Sequence, residues 1–313
     1  MTQRTVGIPK GLLYHYYHTL WTTFFLELGF DIKVSPDTNK KIMQMGITSA
    51  VDEACLPVKV FYGHVLELAD QVDYLFLPRM VSVARKEYMC PKLLGLPDML
   101  RAYCVNPPPF IDVTVNLRNK DGHIDQVIKD ICTIIQVPVP QGKRAWEKAE
   151  AAQKRYEEYL HAGHLPSGFC CLVGGYPIAV LGHGYNVYDS YINLGLIQKL
   201  RDLGADVHTK EMVAPEIVDR FAQKLPKKMF WTFGKQLVGS GLYYLSAPEI
   251  KGIIFLASFG CGPDSMVGEL LERWATRAKK KPFMFLTIDE HSGEAGMVTR
   301  LEAFMDMIKR RVS

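Results

Sequence analysis

The sequence predicts an α/β chain folded as two lobes with mainly parallel sheets, and three observations carry that prediction. The 313 residues exceed the size at which one hydrophobic core usually stops growing. Gly252–Ser258 and residues 282–288 are continuous apolar runs, as expected of strands buried on both faces of a parallel sheet. A strand–helix–glycine–strand order also occurs twice, with Leu28-Gly29 ahead of Asp31-Ile32 and Leu203-Gly204 ahead of Asp206-Val207.

Taken in order, Thr5–Ile8 reads as a strand that runs into Pro9-Lys10-Gly11 and a helix over 12–28. Leu13, Tyr17, Leu20, Phe24 and Leu28 recur there at helical spacing, and Gly29 sits where a helix C-cap prefers glycine. Residues 31–35 alternate like a strand, 72–78 and 110–115 read as further strands, and 125–135 as a helix. A charged helix over 143–162 places Trp146, Ala149, Ala152, Tyr156 and Tyr159 on one stripe. We read it as the bridge between lobes, giving domains 1–142 and 143–313. In the second lobe a strand over 178–181 leads through Gly182-His183-Gly184-Tyr185-Asn186 to a helix over 190–203 and a strand at Ala205–Thr209. The apolar strands at 252–258 and 282–288 are flanked by helices over 265–277 and 299–310. Lys279-Lys280-Lys281 reads as a solvated turn.

Composition narrows the function classes. A net charge of +4 is mild for this length and argues for neither nucleic acid nor an anionic membrane as partner. No run of roughly 18 apolar residues marks a transmembrane helix, and MTQRTVGIPKG lacks the apolar core of a signal peptide. Seven cysteines, without dense disulfide-like spacing, suit a reducing compartment, so a cytoplasmic location is expected.

Three cysteines share an unusual context. Cys55 begins Cys-Leu-Pro57, Cys90 begins Cys-Pro91 and Cys261 begins Cys-Gly-Pro263, whereas the other four have no proline within two residues. Proline fixes its own backbone angle, carries no N–H and holds a turn. Cys261 follows a buried strand and precedes a helix, so its thiol is expected at the carboxyl edge of a sheet, near a helix N-terminus. Structural zinc usually shows close Cys-x2–4-Cys pairs, and none occurs here. Iron–sulfur clusters also take thiolates, and cysteines distant in sequence can supply them. Three such ligands would leave one iron without a cysteine. Cys104 and Cys132 read as core residues. Cys170 and Cys171, adjacent in sequence, read likewise, with Cys170 kept as an extra candidate ligand.

At these residues the chain resembles the activase-related proteins of the 2-hydroxyacyl-CoA dehydratase and benzoyl-CoA reductase superfamily. The matching stretches span nearly the whole chain: Gly7-Ile-Pro-Lys-Gly-Leu-Leu13, Asp52-Glu-Ala-Cys-Leu-Pro-Val-Lys59, Glu87-Tyr-Met-Cys-Pro-Lys92 with Gly95-Leu-Pro-Asp98, Gly182-His-Gly-Tyr-Asn-Val-Tyr-Asp189, Phe259-Gly-Cys-Gly-Pro-Asp-Ser265 and Ile288-Asp-Glu-His-Ser-Gly-Glu-Ala-Gly296. The resemblance implies two Rossmann-like lobes that enclose a [4Fe–4S] cluster on Cys55, Cys90 and Cys261. A double-cubane [8Fe–9S] cluster is the alternative, and it needs more thiolates. It further implies a separate ATP-hydrolysing activase partner that delivers low-potential electrons, a small-molecule or acyl-thioester substrate, and a homodimer. The chain itself has no Gly-x4-Gly-Lys-Ser/Thr loop, so any ATP hydrolysis is expected in the partner.

Asp289, Glu290, His291 and Glu294 follow the last apolar strand, where carboxylates and a histidine could exchange protons with a substrate. The competing reading is a helix cap with a solvated His291. Glu53 could bond backbone near the cluster, or serve as an acid at a helix N-terminus. His183, Tyr185 and Asn186 could touch a substrate, although a glycine-rich turn with a packed aromatic explains them too. Lys59 and Lys92 could offset cluster charge or lie on the surface. The functional expectation is therefore an iron–sulfur enzyme that reduces or dehydrates a small substrate. The alternatives are a non-catalytic [4Fe–4S] electron relay or cluster carrier docking to the ATPase, and a zinc scaffold.

Overall fold

The structure is a computed structural model that describes residues 3–119, 124–166, 174–278 and 281–312. Two compact units divide the chain: unit 1 is Met1–Glu157 with Phe230–Thr232, and unit 2 is Glu158–Met229 with Phe233–Ser313.

Unit 1 runs β1 (Thr5–Ile8), α1 (Tyr14–Glu27), β2 (Asp31–Val34), α2 (Lys40–Ser49), α3 (Leu56–Leu68), β3 (Tyr74–Phe76), β4 (Arg79–Ser82), α4 (Pro91–Tyr103), β5 (Phe110–Ile111), β6 (Thr114–Asn116), α5 (Ile124–Ile135) and α6 (Val139–His161), whose last residues pass into unit 2. Gly29, at φ +81°, closes α1 as a left-handed cap. Asn39 caps α2, its Oδ1 accepting from the N–H groups of Lys41 and Ile42 at 3.0 and 3.1 Å. Helices α2 and α3 cross backbone to backbone. A Cβ on Gly46 would stand 2.0 Å from the Lys59 carbonyl oxygen, and one on Gly63 1.9 Å from that of Ile42. The predicted strand over 110–115 is two strands: β5 pairs with β3 and β6 with β4. Between them Asp112 binds Arg101 at 2.6 Å, and the chain leaves one sheet for the other.

Unit 2 runs β7 (Tyr176–Gly182), α7 (Gly184–Val187), α8 (Leu196–Asp202), β8 (Ala205–Thr209), α9 (Pro215–Ala222), α10 (Thr232–Ser246, its first residue in unit 1), β9 (Gly252–Ser258), α11 (Gly262–Ala278), β10 (Phe283–Ile288) and α12 (Glu294–Val312). The helix expected over 190–203 is shorter because Leu194 and Gly195 adopt φ of 58° and 71°, which α-helix does not accommodate. Strand β9 is buried along its whole length. Lys281, expected in a solvated turn, donates its ammonium to the carbonyls of Tyr244 (2.6 Å) and Ala247 at the end of α10. Cys170, Cys171, Lys279 and Lys280 lie outside the described residues.

The fold class is α/β with parallel sheets, as predicted: every strand pair is parallel among the described residues. The two larger sheets have orders β2-β1-β3-β5 and β10-β9-β7-β8. In each, the first strand of the unit lies between the second and the third. The crossovers therefore leave it in opposite directions, opening a crevice at the carboxyl ends of β1 and β3, and of β7 and β9. Such switch points are where open parallel sheets bind ligands. No described helix is long and apolar enough to cross a membrane.

Candidate functional site

In unit 1, Cys55 is the residue at the N-cap of α3 and Cys90 that of α4, and each helix carries a proline in its first turn. Both helices lead into the amino ends of strands, so their N-termini face the carboxyl edge. Proline suits this place because the first-turn N–H groups have no intrahelical acceptor. Both cysteines therefore stand at the positive end of a helix dipole. The Lys92 ammonium donates to the Glu53 carbonyl at 2.9 Å and ties the two cysteine loops together. Glu53 itself is exposed, two residues ahead of the N-cap and outside the helix. Lys59, one turn beyond Cys55 on the same face of α3, is only 5% exposed, so it is not the surface lysine the sequence allowed.

Unit 2 builds its site at the β7/β9 switch point. Cys261 directly precedes α11, with Pro263 and Asp264 in the first turn, and is 8% exposed. His183 directly follows β7, as the residue before α7. Its ring stacks on Tyr185 at 4.9 Å and lies 5.5 Å from that of Phe233. The packed-aromatic reading of this loop therefore holds, but it is incomplete. His183 Nε2 stands 2.7 Å from Asp264 Oδ1, and both residues are buried. One donor atom each of His183, Cys261 and Asp264 lies within 4.8 Å of the other two.

The surrounding loop is fixed by its own polar groups. Asn193 Nδ2 donates to the carbonyls of Asn186 and Val187 at 2.9 and 2.7 Å, and Ser258 Oγ donates to Asn186 Oδ1 at 2.9 Å. That last bond ties the end of β9 to the loop after β7. At the end of β8, Lys210 pairs with Glu211 at 2.6 Å, and the Tyr188 hydroxyl lies 2.7 Å from the other Glu211 oxygen. Burial works to raise the Glu211 carboxyl, but Lys210 and the Tyr188 hydroxyl outweigh it and hold the group below the usual carboxylate range.

The residues after β10 form a turn. The Asp289 N–H donates to Ser292 Oγ at 2.9 Å, while Asp289 Oδ1 accepts from Ser292 Oγ at 2.9 Å and from the His291 N–H at 3.0 Å. His291 is exposed and Glu290 half-buried. Glu294 opens α12 and binds Lys199 at 2.7 Å, which holds its carboxyl below the usual range. These groups follow the strand next to β9, whose end is joined to β10 by the Phe259 N–H donating to the Ile288 carbonyl at 2.8 Å.

The remaining cysteines with described positions are packed differently. Cys132 is 1% exposed, and its Sγ fills the space beside Gly142, where an added Cβ would stand 2.2 Å away. Burial raises the Cys104 thiol, at the C-terminal end of α4. Asp264 is the residue sequence reading missed. Its signal was present, an acid in the first turn of a helix three residues after a cysteine, but that pattern usually reports only a helix start.

A family model described as the CoA enzyme activase uncharacterised domain matches residues 5–213, a span that includes Cys55, Cys90 and His183 but ends before Cys261. No curated protein matches the chain. Among solved structures, tagatose-6-phosphate ketose/aldose isomerase from Escherichia coli aligns at 11% identity with a TM-score of 0.24, over 98% of this chain and 83% of that one. A phosphosugar isomerase described as putative, from Silicibacter pomeroyi DSS-3, aligns at 9% identity with a TM-score of 0.20, over 98% and 85%. Both likenesses are too remote to bear on fold or function.

Proposed function

Because the chain belongs to the CoA enzyme activase domain family, we propose that it is the iron–sulfur protein of such a system, with Cys55, Cys90 and Cys261 as ligands of a [4Fe–4S] cluster. The observation that carries this reading is the shared setting of the three thiols. Each stands immediately before or at the start of a helix that has proline in its first turn. Iron binds cysteine as thiolate, and the positive end of a helix dipole at each of these positions suits an anionic ligand. The buried Lys59, one turn from Cys55, would oppose part of the cluster's negative charge.

When bound, the cluster would supply single-electron chemistry, with electrons coming from an ATP-hydrolysing reductase partner. The chain's own residues would hold it, and would orient a small substrate or acyl-thioester for reduction or dehydration. Glu290, His291 and Asp289 are the proton-exchanging candidates after β10. Asp289 is tied into its turn and His291 is exposed, so His291 is the first to vary.

Serine substitution tests the ligand set. Cys55→Ser, Cys90→Ser and Cys261→Ser, purified without oxygen, should each lower iron and sulfide content against the wild type. If all three keep the wild-type content, the assignment fails.

A further inference from the structure

We infer that His183, Cys261 and Asp264 form a single-ion metal site, built by unit 2 alone, for one divalent ion of borderline softness such as Fe2+, Co2+ or Zn2+. The first argument is burial. Asp264 is 1% exposed and His183 4% exposed. Neither Asp264 oxygen nor His183 Nδ1 has a hydrogen-bond partner among the described residues. A buried carboxylate without hydrogen bonds is costly unless a cation neutralises it.

The second argument is geometry. His183 Nε2 and Asp264 Oδ1 are 2.7 Å apart yet are not aligned as a hydrogen bond. Atoms that close but out of line suit two ligands whose lone pairs converge on a common point. Metal–ligand bonds of about 2.0–2.3 Å put the donor atoms of one ion roughly 3–4 Å apart, and these three lie within 4.8 Å of one another.

The third argument is charge and place. A thiolate, a carboxylate and a neutral imidazole cancel the charge of a divalent ion, so the desolvated site is neutral when filled. The set lies at the β7/β9 crevice, and His183 is held there by Tyr185 and Phe233. Three protein ligands leave a fourth position open for water or a small oxygen ligand. The buried Asn186 Nδ2, in α7 three residues after His183, has no partner among the described residues.

The inference needs only Cys261 from the cluster reading, and one thiolate serves one metal centre at a time. The ion site is therefore read in the full-length chain after cluster iron has been stripped. Titration of this chain with Co2+ should saturate at one ion, with a thiolate-to-cobalt charge-transfer band and visible ligand-field bands of low-symmetry, near-tetrahedral cobalt. Cys261→Ser should abolish the charge-transfer band. His183→Gln and Asp264→Asn should weaken cobalt binding beyond the roughly 10–100-fold that loss of a merely orienting group costs, with far-ultraviolet circular dichroism unchanged. Cys55→Ser and Cys90→Ser should keep the full cobalt spectrum while losing the cluster, which separates the two readings. A wild-type chain that shows no cobalt–thiolate band would overturn the inference and leave a buried His–Asp contact. So would a band that survives Cys261→Ser, or that vanishes equally in Cys55→Ser and Cys90→Ser. None of those results would touch the iron content on which the cluster reading stands.

Discussion

Acidification should destabilise unit 1 through His64. His64 is fully buried between Ser35 Oγ, 2.9 Å from Nδ1, and Thr38 Oγ1, 3.0 Å from Nε2. Burial, with Lys10 adding repulsion, lowers its pKa from 6.5 to about 4. The unfolded chain therefore takes up the proton first. The stabilisation is complete above pH 6.5 and is lost as pH falls toward 4. At about 1.4 kcal/mol per unit, moving from pH 7 to pH 5 spans roughly 1.5 units of this window and removes about 2 kcal/mol. His64→Asn removes the titration while keeping one polar contact. Urea unfolding at both pH values, followed by tryptophan fluorescence with Trp231 and Trp274 replaced by phenylalanine, reports on Trp21 and Trp146 in the unit 1 core. His15, lowered to about 3 by burial first and His64 next, is present in both proteins and largely cancels in the comparison. The wild type should lose about 2 kcal/mol more than the variant between pH 7 and pH 5. Equal losses would refute the placement of a neutral His64 in this pocket.

Two further outcomes follow from packing. Gly46→Ala should lower unit 1 stability by about 3 kcal/mol or more, because the new methyl meets the Lys59 carbonyl across the α2–α3 crossing; an unchanged melting temperature would contradict that close approach. Cys132→Ala should cost stability by leaving a small void beside Gly142, yet leave iron content at the wild-type level, whereas a parallel loss of iron would make Cys132 a ligand.

The sequence made the strands legible because their burial is local. Apolar runs such as 252–258 and 282–288 announce themselves, and Gly29 and Gly204 mark helix ends through a backbone angle that glycine adopts at low cost. The proline-flanked cysteines were readable for the same reason: proline after cysteine reports a turn into a helix whatever lies around it. The α2–α3 crossing was hidden, since Gly46 and Gly63 matter only when two backbones meet. So was the division of 110–115, which depends on which strands lie alongside. The meeting of His183 with Asp264 was least visible. Each residue has an ordinary local explanation, and only the pairing of β7 with β9 brings them together.

Iron and acid-labile sulfide analysis of the chain, purified without oxygen, tests the central claim most directly. The account predicts about four of each per chain, with broad visible absorption that bleaches on reduction. A colourless chain without iron, which also resists reconstitution with iron and sulfide, would contradict it.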